Sequence, residues 1–532
     1  MKHYASVYLD VQFTTGHNGM GNVVGFNKFS NIENITSKSF TASGTGETFI
    51  DYLTINKSGN YMISWMCQAY NTVNCAFAPY NLANDKYLSG PSFSLLSNQS
   101  IDAGQITSNI ITFLNVGDMI GIYKVAPSDD IQFLPIPGVT TILASLTLLM
   151  IEEQDPFASV INNSLQSLGN NGGVGVSIPI KDSMTYNEIL SSSNTDYQAD
   201  FQLKTNNTIF VKNKLNKLNR KEFFAFYNVN LFNLNDYTNT GQSVPNIELN
   251  APSNAQNGST APYYPPIALG YNFSLLKNNI RTGNIYTTGV CNYATNLYDG
   301  TDSTYYEYYT NLSTQLIGGE IVNLSESETL SLNCFGNSNI ISNINTTEIK
   351  INGAIAQNQI YGNLNSINSS ITLFPLTNNY VFMTNKISQS QLSYKNFTFD
   401  KKHVKGNYLS VVNSKVKINE NSLFLVYFTI TILQTSELIP GTVSSPIIGI
   451  STPNYNYNFS NQFKYEINNT FTITGTIIIP LNAGDVLELI NVTSSGTNPE
   501  LQVSLANKPL SIYDPNETDT YPVNASLLVM KI

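Results

Sequence analysis

Only three histidines, His3, His17 and His403, are available to this 532-residue chain as bases or metal ligands. Ser/His/Asp catalysis would need one of them as its base, and no Gly-x-Ser-x-Gly elbow accompanies them. His3 is terminal, His17 follows Gly16 in a loop-like segment, and His403 follows the basic pair Lys401-Lys402. All three are expected to be solvated surface residues. A glycosidase needs only two carboxylates, and Asp129-Asp130, Glu152-Glu153 and Asp299 with Asp302 are the candidates. Adjacent acids on a strand point to opposite faces, and in loops they are solvated. Asn296 to Asp302 spaces oxygen ligands closely but falls short of an EF-hand loop, so an ordinary turn is expected. Cys67, Cys75, Cys291 and Cys334 form no CxxC and have no nearby His to complete a zinc site; they read as buried free thiols. Gly172-Gly173-Val174-Gly175 lacks the Lys of a phosphate loop. The expectation is therefore a non-enzymatic protein, with no catalytic residue, no cofactor and no metal. What remains is aromatic. Tyr305, Tyr306, Tyr308, Tyr309, Tyr455 and Tyr457 combine a ring that buries readily with a hydroxyl that hydrogen-bonds, the chemistry of a protein interface or a glycan contact.

The elements that must position these residues are strands. Charged residues are 12%, while Tyr (32) and Phe (27) are plentiful and 42% of residues are hydrophobic. That composition favours β structure and has ample material for cores. A net charge of −10 with 26 basic residues carries no electrostatic footprint for nucleic acid. No stretch is long and apolar enough for a transmembrane helix; the best, Val139 to Ile151, is short and ends on Glu152 and Glu153. The first residues lack the apolar core of a secretory signal and instead alternate as a strand, with Val7, Leu9, Val11 and Phe13 on one face. Synthesis in a cytoplasm is the expectation.

An internal repeat organises the chain. Ile111-Thr112-Phe113-Leu114-Asn115-Val116-Gly117-Asp118-Met119-Ile120 matches Ile478-Ile479-Pro480-Leu481-Asn482-Ala483-Gly484-Asp485-Val486-Leu487. Each copy then closes on Ala-Ser-Leu, at Ala144-Ser145-Leu146 and Ala525-Ser526-Leu527. The shared segment reads as strand, tight turn, strand. Gly117 and Gly484 accept a positive φ, and Asp118 and Asp485 hydrogen-bond neighbouring backbone N–H groups. A weaker middle copy lies at Asn323 to Leu332, with Ser327-Glu328 in place of Gly-Asp, and Lys221 to Val229 supplies its aromatic strand. The expected domains are 1–155, a Gly/Asn-containing linker at 156–195, 196–387 with a long Pro/Asn/Ser-rich surface loop from Gly241 to Pro266, and 388–532. Ile161 to Leu168 is read as one or two helical turns.

The segment Leu481-Asn482-Ala483-Gly484-Asp485-Val486-Leu487-Glu488-Leu489, followed by Asn524-Ala525-Ser526-Leu527, resembles the tumour-necrosis-factor/complement-like jelly roll. It is similar in particular to the C-terminal domains of bacterial collagen-like exosporium glycoproteins, and Gly59-Asn60-Tyr61 adds that family's Gly-x-Tyr strand. The chain departs from the family in having no Gly-X-Y collagen tract, in Ser422-Leu423-Phe424 where the first copy has Gly59-Asn60-Tyr61, and in the middle copy's missing Gly-Asp. The resemblance implies an all-β fold of three tandem antiparallel jelly-roll sandwiches that trimerise through an apolar, aromatic-rich face. Three chains could stack as homotrimers, the family default, or one chain could fold its copies into a pseudo-trimer. The functional expectation is a structural protein of a bacterial spore surface, exosporium or appendage, contacting other surface-layer proteins. The alternatives are a viral or phage capsid, decoration or fibre protein, and a carbohydrate-binding surface adhesin with a glycan ligand; nucleic acid and membrane are not expected partners.

Overall fold

The computed structural model describes residues 2–15, 22–41, 46–70, 75–89, 92–94, 102–126, 130–136, 138–153, 155–162, 166–168, 181–183, 188–192, 201–205, 207–212, 222–233, 267–269, 272–287, 291–293, 297–298, 305–306, 313–335, 349–351, 369–387, 389–391, 395–433, 443–444, 446–460, 463–464, 470–493, 503–505 and 523–532. Among them there is no helix, and all named strand pairs are antiparallel.

Nine main strands build each of three lobes. In the first they are β1 (Tyr4–Leu9), β2 (Lys28–Glu33), β3 (Ile35–Thr41), β4 (Thr48–Ile55), β5 (Gly59–Tyr70), β6 (Cys75–Asn81), β7 (Asp102–Leu114), β8 (Met119–Ala126) and β9 (Ala144–Met150). The middle lobe has β10 (Ala158–Asn162), β11 (Glu188–Ser192), β12 (Phe201–Thr205), β13 (Thr208–Val211), β14 (Glu222–Asn233), β15 (Asn272–Lys277), β16 (Ser313–Asn323), β17 (Thr329–Phe335) and β18 (Ser369–Pro375). The third has β19 (Tyr380–Asn385), β20 (Lys401–Lys405), β21 (Leu409–Val412), β22 (Lys415–Ile418), β23 (Ser422–Leu433), β24 (Ile447–Ser451), β25 (Thr470–Leu481), β26 (Val486–Asn491) and β27 (Ala525–Lys531). One sheet of the first lobe runs β2-β1-β9-β5-β7 and the other runs β3-β4-β8-β6. The middle lobe repeats both orders as β11-β10-β18-β14-β16 and β12-β13-β17-β15, and the third as β20-β19-β27-β23-β25 and β21-β22-β26-β24. First strand beside last, with the chain crossing repeatedly between two sheets, is the jelly-roll arrangement. The middle lobe follows it as fully as the outer two.

Several boundaries differ from the sequence expectation. The middle lobe takes its first strand, β10, from within the expected linker, because Ala158–Asn162 pairs with its last strand, from Ala158↔Leu373 to Asn162↔Ser369. The third lobe begins at Tyr380, ahead of the expected 388, because β19 must lie along β27. The helical turns expected from Ile161 to Leu168 are instead the end of β10 and a short strand, Gln166–Leu168, paired with Ile349–Ile351. The glycine run 169–175 and the loop 241–266 lie outside the described residues.

Each lobe has its own apolar interior: Trp65, Phe77 and Leu146 in the first, Phe223, Leu275 and Leu373 in the middle, Phe428, Ile477 and Leu527 in the third. A fourth cluster belongs to no single lobe. Tyr4, Met62, Ile111 and Leu149 pack there with Phe224, Phe226 and Phe374, and with Phe382, Leu425, Tyr427, Leu528 and Met530. Residues of all three lobes of the chain thus meet in one apolar cluster.

Candidate functional site: the seam between the lobes

Alternation along a strand decides what enters the seam. Phe223 and Ala225 point into the middle lobe's own core, so Phe224 and Phe226 must point out, and they join the shared cluster. Met62, Phe224 and Leu425 are register equivalents, each opposite the matching residue of its lobe's last strand: Leu149, Phe374 and Met530. Between the middle and third lobes the contact is aromatic. Phe224 meets Phe382 at 5.4 Å and Tyr427 at 5.5 Å, and Phe226 meets Tyr427 at 4.9 Å, all edge to face, the geometry that aromatic quadrupoles favour.

The lobes close a ring. Tyr8, Met66 and Ile142 of the first lobe sit in the third lobe's core, Val523 of the third in the middle lobe's core, and Ile161 of the middle in the first lobe's core. Ile142 N–H donates to Asn458 O at 2.7 Å, and its repeat equivalent Val523 N–H donates to Ile285 O at 2.6 Å. These contacts run head to tail and return to their start after three lobes.

Further along the seam the contacts turn polar, and their target is the outer edge of β7 and β25. Both are outermost strands of their sheets, whose unpaired N–H and C=O groups would otherwise invite strand addition. On β25, Ile478 N–H donates to Ser6 Oγ (3.3 Å), Thr476 O accepts from Thr147 Oγ1 (3.4 Å), and Thr474 is held at both N–H and C=O by Gln105 (2.8 and 2.9 Å). On β7 the equivalent residues repeat the pattern. Ile111 N–H donates to Ser159 Oγ (3.2 Å), Asn109 O accepts from Thr372 Oγ1 (3.0 Å), and Thr107 is held twice by Gln315 (3.1 and 2.8 Å). Asn228 Nδ2 adds a bond to Thr107 O at 3.1 Å. The equivalents in the third lobe are Phe382, Leu528 and Thr472, the first two apolar; on the edge of β16, Gly319 O accepts instead from Tyr286 Oη of the middle lobe itself, and Gly319 keeps the strand thin where Phe224 and Tyr427 crowd it.

A polar cluster flanks the aromatic contact. Tyr380 Oη donates to Glu222 Oε2 at 2.8 Å, Lys405 Nζ approaches the same oxygen at 2.6 Å, and His403 Nε2 lies 2.9 Å from Tyr380 Oη. Burial pushes the Glu222 carboxyl up, but Lys405 and Tyr380 outweigh it and hold its pKa below the ordinary range. His403 stacks on Tyr380, 5.5 Å between centroids and 6° between planes. It is exposed yet engaged, and His3, expected at the surface, is buried with Nδ1 3.3 Å from Asn34 O. His17, Asp129, Asp299 and Asp302 lie outside the described residues, while Asp130, Glu152 and Glu153 are exposed. Cys67 and Cys75 are buried free thiols, and among the described residues no three metal-ligating side chains gather.

The repeated turn is the same in all three lobes. Gly117 and Gly484 have φ of 89° and 96°, and Ser327 has 68°. Asp118, Glu328 and Asp485 each accept from the backbone N–H three residues back, at 2.7, 2.6 and 2.8 Å. In each lobe the positive-φ residue donates to the strand before it, Gly117 to Ile55, Ser327 to Val211 and Gly484 to Ile418. Of the aromatic candidates, Tyr457 meets Tyr8 of the first lobe at 6.2 Å and Tyr455 at 4.7 Å. Tyr305 and Tyr306 form a short strand paired with Leu297 and Tyr298, and Tyr308 and Tyr309 lie outside the described residues.

Sequence reasoning missed the capping residues Ser6, Ser159, Gln105 and Gln315. A signal was present: Ala5-Ser6-Val7 recurs as Ala158-Ser159-Val160 and marks the start of the first two lobes.

No family model matches the chain, and no curated protein does. Among solved structures, murine APRIL aligns at 8% identity over 29% of this chain and 99% of its own, with a TM-score of 0.19. PNGF-II aligns at 8% identity over 87% of this chain and 98% of its own, with a TM-score of 0.21.

Proposed function

We propose that this protein is a non-enzymatic structural unit of a bacterial spore surface, a TNF-like jelly-roll trimer carried within one chain. The observation that supports this reading most directly is the closed seam. Polar and aromatic groups on the seam-facing sheets hold lobe to lobe, a use that suits a rigid building body. The low charge and the abundance of Tyr and Asn suit a surface packed among other proteins. Fractionating spores and locating the protein by mass spectrometry tests the setting. Enrichment in the outermost spore layer supports it; enrichment in virus particles replaces it with the capsid or fibre reading, and recovery only from soluble cell contents overturns both.

A second reading, glycan contact, is favoured by one observation. Tyr455 keeps 39% exposure beside Tyr457 at the junction of the first and third lobes, close to the Asp10–Lys28 ion pair of 2.6 Å. A glycan array probed with the wild-type chain and with Tyr455→Ala decides it: signal lost in the variant supports the contact, and an array without hits removes it.

A further inference from the structure

The junction between the middle and third lobes lacks the glutamine caps of the other two, and a cluster of reactive side chains stands there whose carboxyl and amine are buried. Glu320, on β16, is 1% exposed and accepts from Thr282 Oγ1 at 2.7 Å; the Asn284 side chain also hydrogen-bonds it. Lys386, which follows β19 in the third lobe, is 5% exposed and reaches across the junction to donate from Nζ to Gly283 O at 2.6 Å. That carbonyl belongs to the peptide bond of Asn284 itself. An amine, a carboxamide and a carboxyl group are thus gathered at one point, walled by the buried rings of Tyr227 and Tyr286.

We propose that Lys386 and Asn284 are joined by an amide bond, formed without any enzyme and with Glu320 as the proton carrier, which locks the third lobe covalently to the middle one. Burying a cation and a carboxylate is costly, and moving a proton between them removes both charges. The Lys386 ammonium gives a proton to the Glu320 carboxylate, and the neutral amine attacks Cγ of Asn284. The Glu320 carboxyl donates to Oδ1 as the tetrahedral carbon forms. The C–Nδ2 bond then breaks, and Nδ2 leaves as ammonia with two protons that were its own and one from Nζ. Nζ keeps one hydrogen in the new amide, and the proton first given up remains on Glu320. No oxidant or other reactant is consumed. Desolvation pushes the Glu320 carboxyl up to about 8, so it holds a proton at neutral pH, as the role requires. The location fits the need: no glutamine caps this edge among the described residues, and the cap that Gly319 O does receive, from Tyr286 Oη, comes from the middle lobe itself and ties no second lobe to it.

The test is the intact mass of the purified full chain, compared with the mass its sequence requires once removal of the initiator methionine is accounted for. Loss of one ammonia, about 17 Da, is expected, together with a proteolytic fragment in which the peptides of Asn284 and Lys386 are joined. Lys386→Arg, which keeps the charge but cannot form the bond under these conditions, is expected to restore the full mass, as is the near-isosteric Glu320→Gln. A wild-type mass equal to that of the sequence overturns the proposal. So does a deficit that persists in Lys386→Arg, since that would mark cyclisation of an asparagine on its own backbone.

Discussion

Ser327 holds the one non-glycine side chain at the repeated turn, at φ 68°. A β-carbon in the left-handed region costs on the order of 1 kcal/mol, and the turn keeps it because Glu328 and the bond to Val211 fix the backbone. Ser327→Gly should therefore raise stability by roughly 0.5–1 kcal/mol, read as a higher denaturation midpoint at unchanged slope. The reverse change, Gly484→Val, should lower it by roughly 1–3 kcal/mol; nothing stands within 4 Å of the added carbon, so the cost is conformational rather than steric. Glu320 makes a separate prediction. Its folded pKa of about 8 lies above the ordinary 4.5, so between those values the folded chain holds a proton that the unfolded chain has lost. Stability must then fall as pH rises across that window and level off above it. Melting curves at stepped pH should show this slope in the wild type and lose it in Glu320→Gln.

At the scale of the strand, the glutamine caps matter because an outer edge has nowhere else to place its backbone groups. Gln105→Ala would orphan the N–H and C=O of Thr474 inside the seam, at roughly 1–3 kcal/mol for each buried group. Gln315→Ala should orphan only the N–H of Thr107, because Asn228 Nδ2 still donates to Thr107 O. A larger loss for Gln105→Ala than for Gln315→Ala in chemical denaturation, with the exposed edge showing as aggregation during refolding, is the expected outcome; unchanged stability in both variants would mean that water replaces the caps. The strands themselves were legible in the sequence, since alternation and the Leu-Asn-x-Gly-Asp turn are local properties. The middle lobe was partly hidden because Ser327-Glu328 makes the same turn with different letters. Its first strand was hidden because Ala158–Asn162 is short and pairs with residues more than 200 positions away. The serine caps left only the short Ala-Ser-Val recurrence, and the glutamine caps were not legible at all: a lone Gln on a strand carries no sign of which lobe it will face.

For the whole molecule, shared cores imply shared stability. Tyr8 and Met66 complete the third core and Val523 the middle one, so no lobe can unfold without exposing part of its neighbour. Calorimetry is expected to show one cooperative transition in place of three, and light scattering a particle near 58.7 kDa; a mass three times larger would return the assembly to a trimer of chains. Three separately translated lobes would come apart on dilution, whereas three tethered ones meet at an effective concentration set only by the connecting chain. The tether has another result. A trimer of identical subunits shows every surface patch three times and binds by avidity. In a body closed by one chain, Tyr455, His403 and Lys28 would each occur once, so a partner that recognises any of them would engage it with a valency of one.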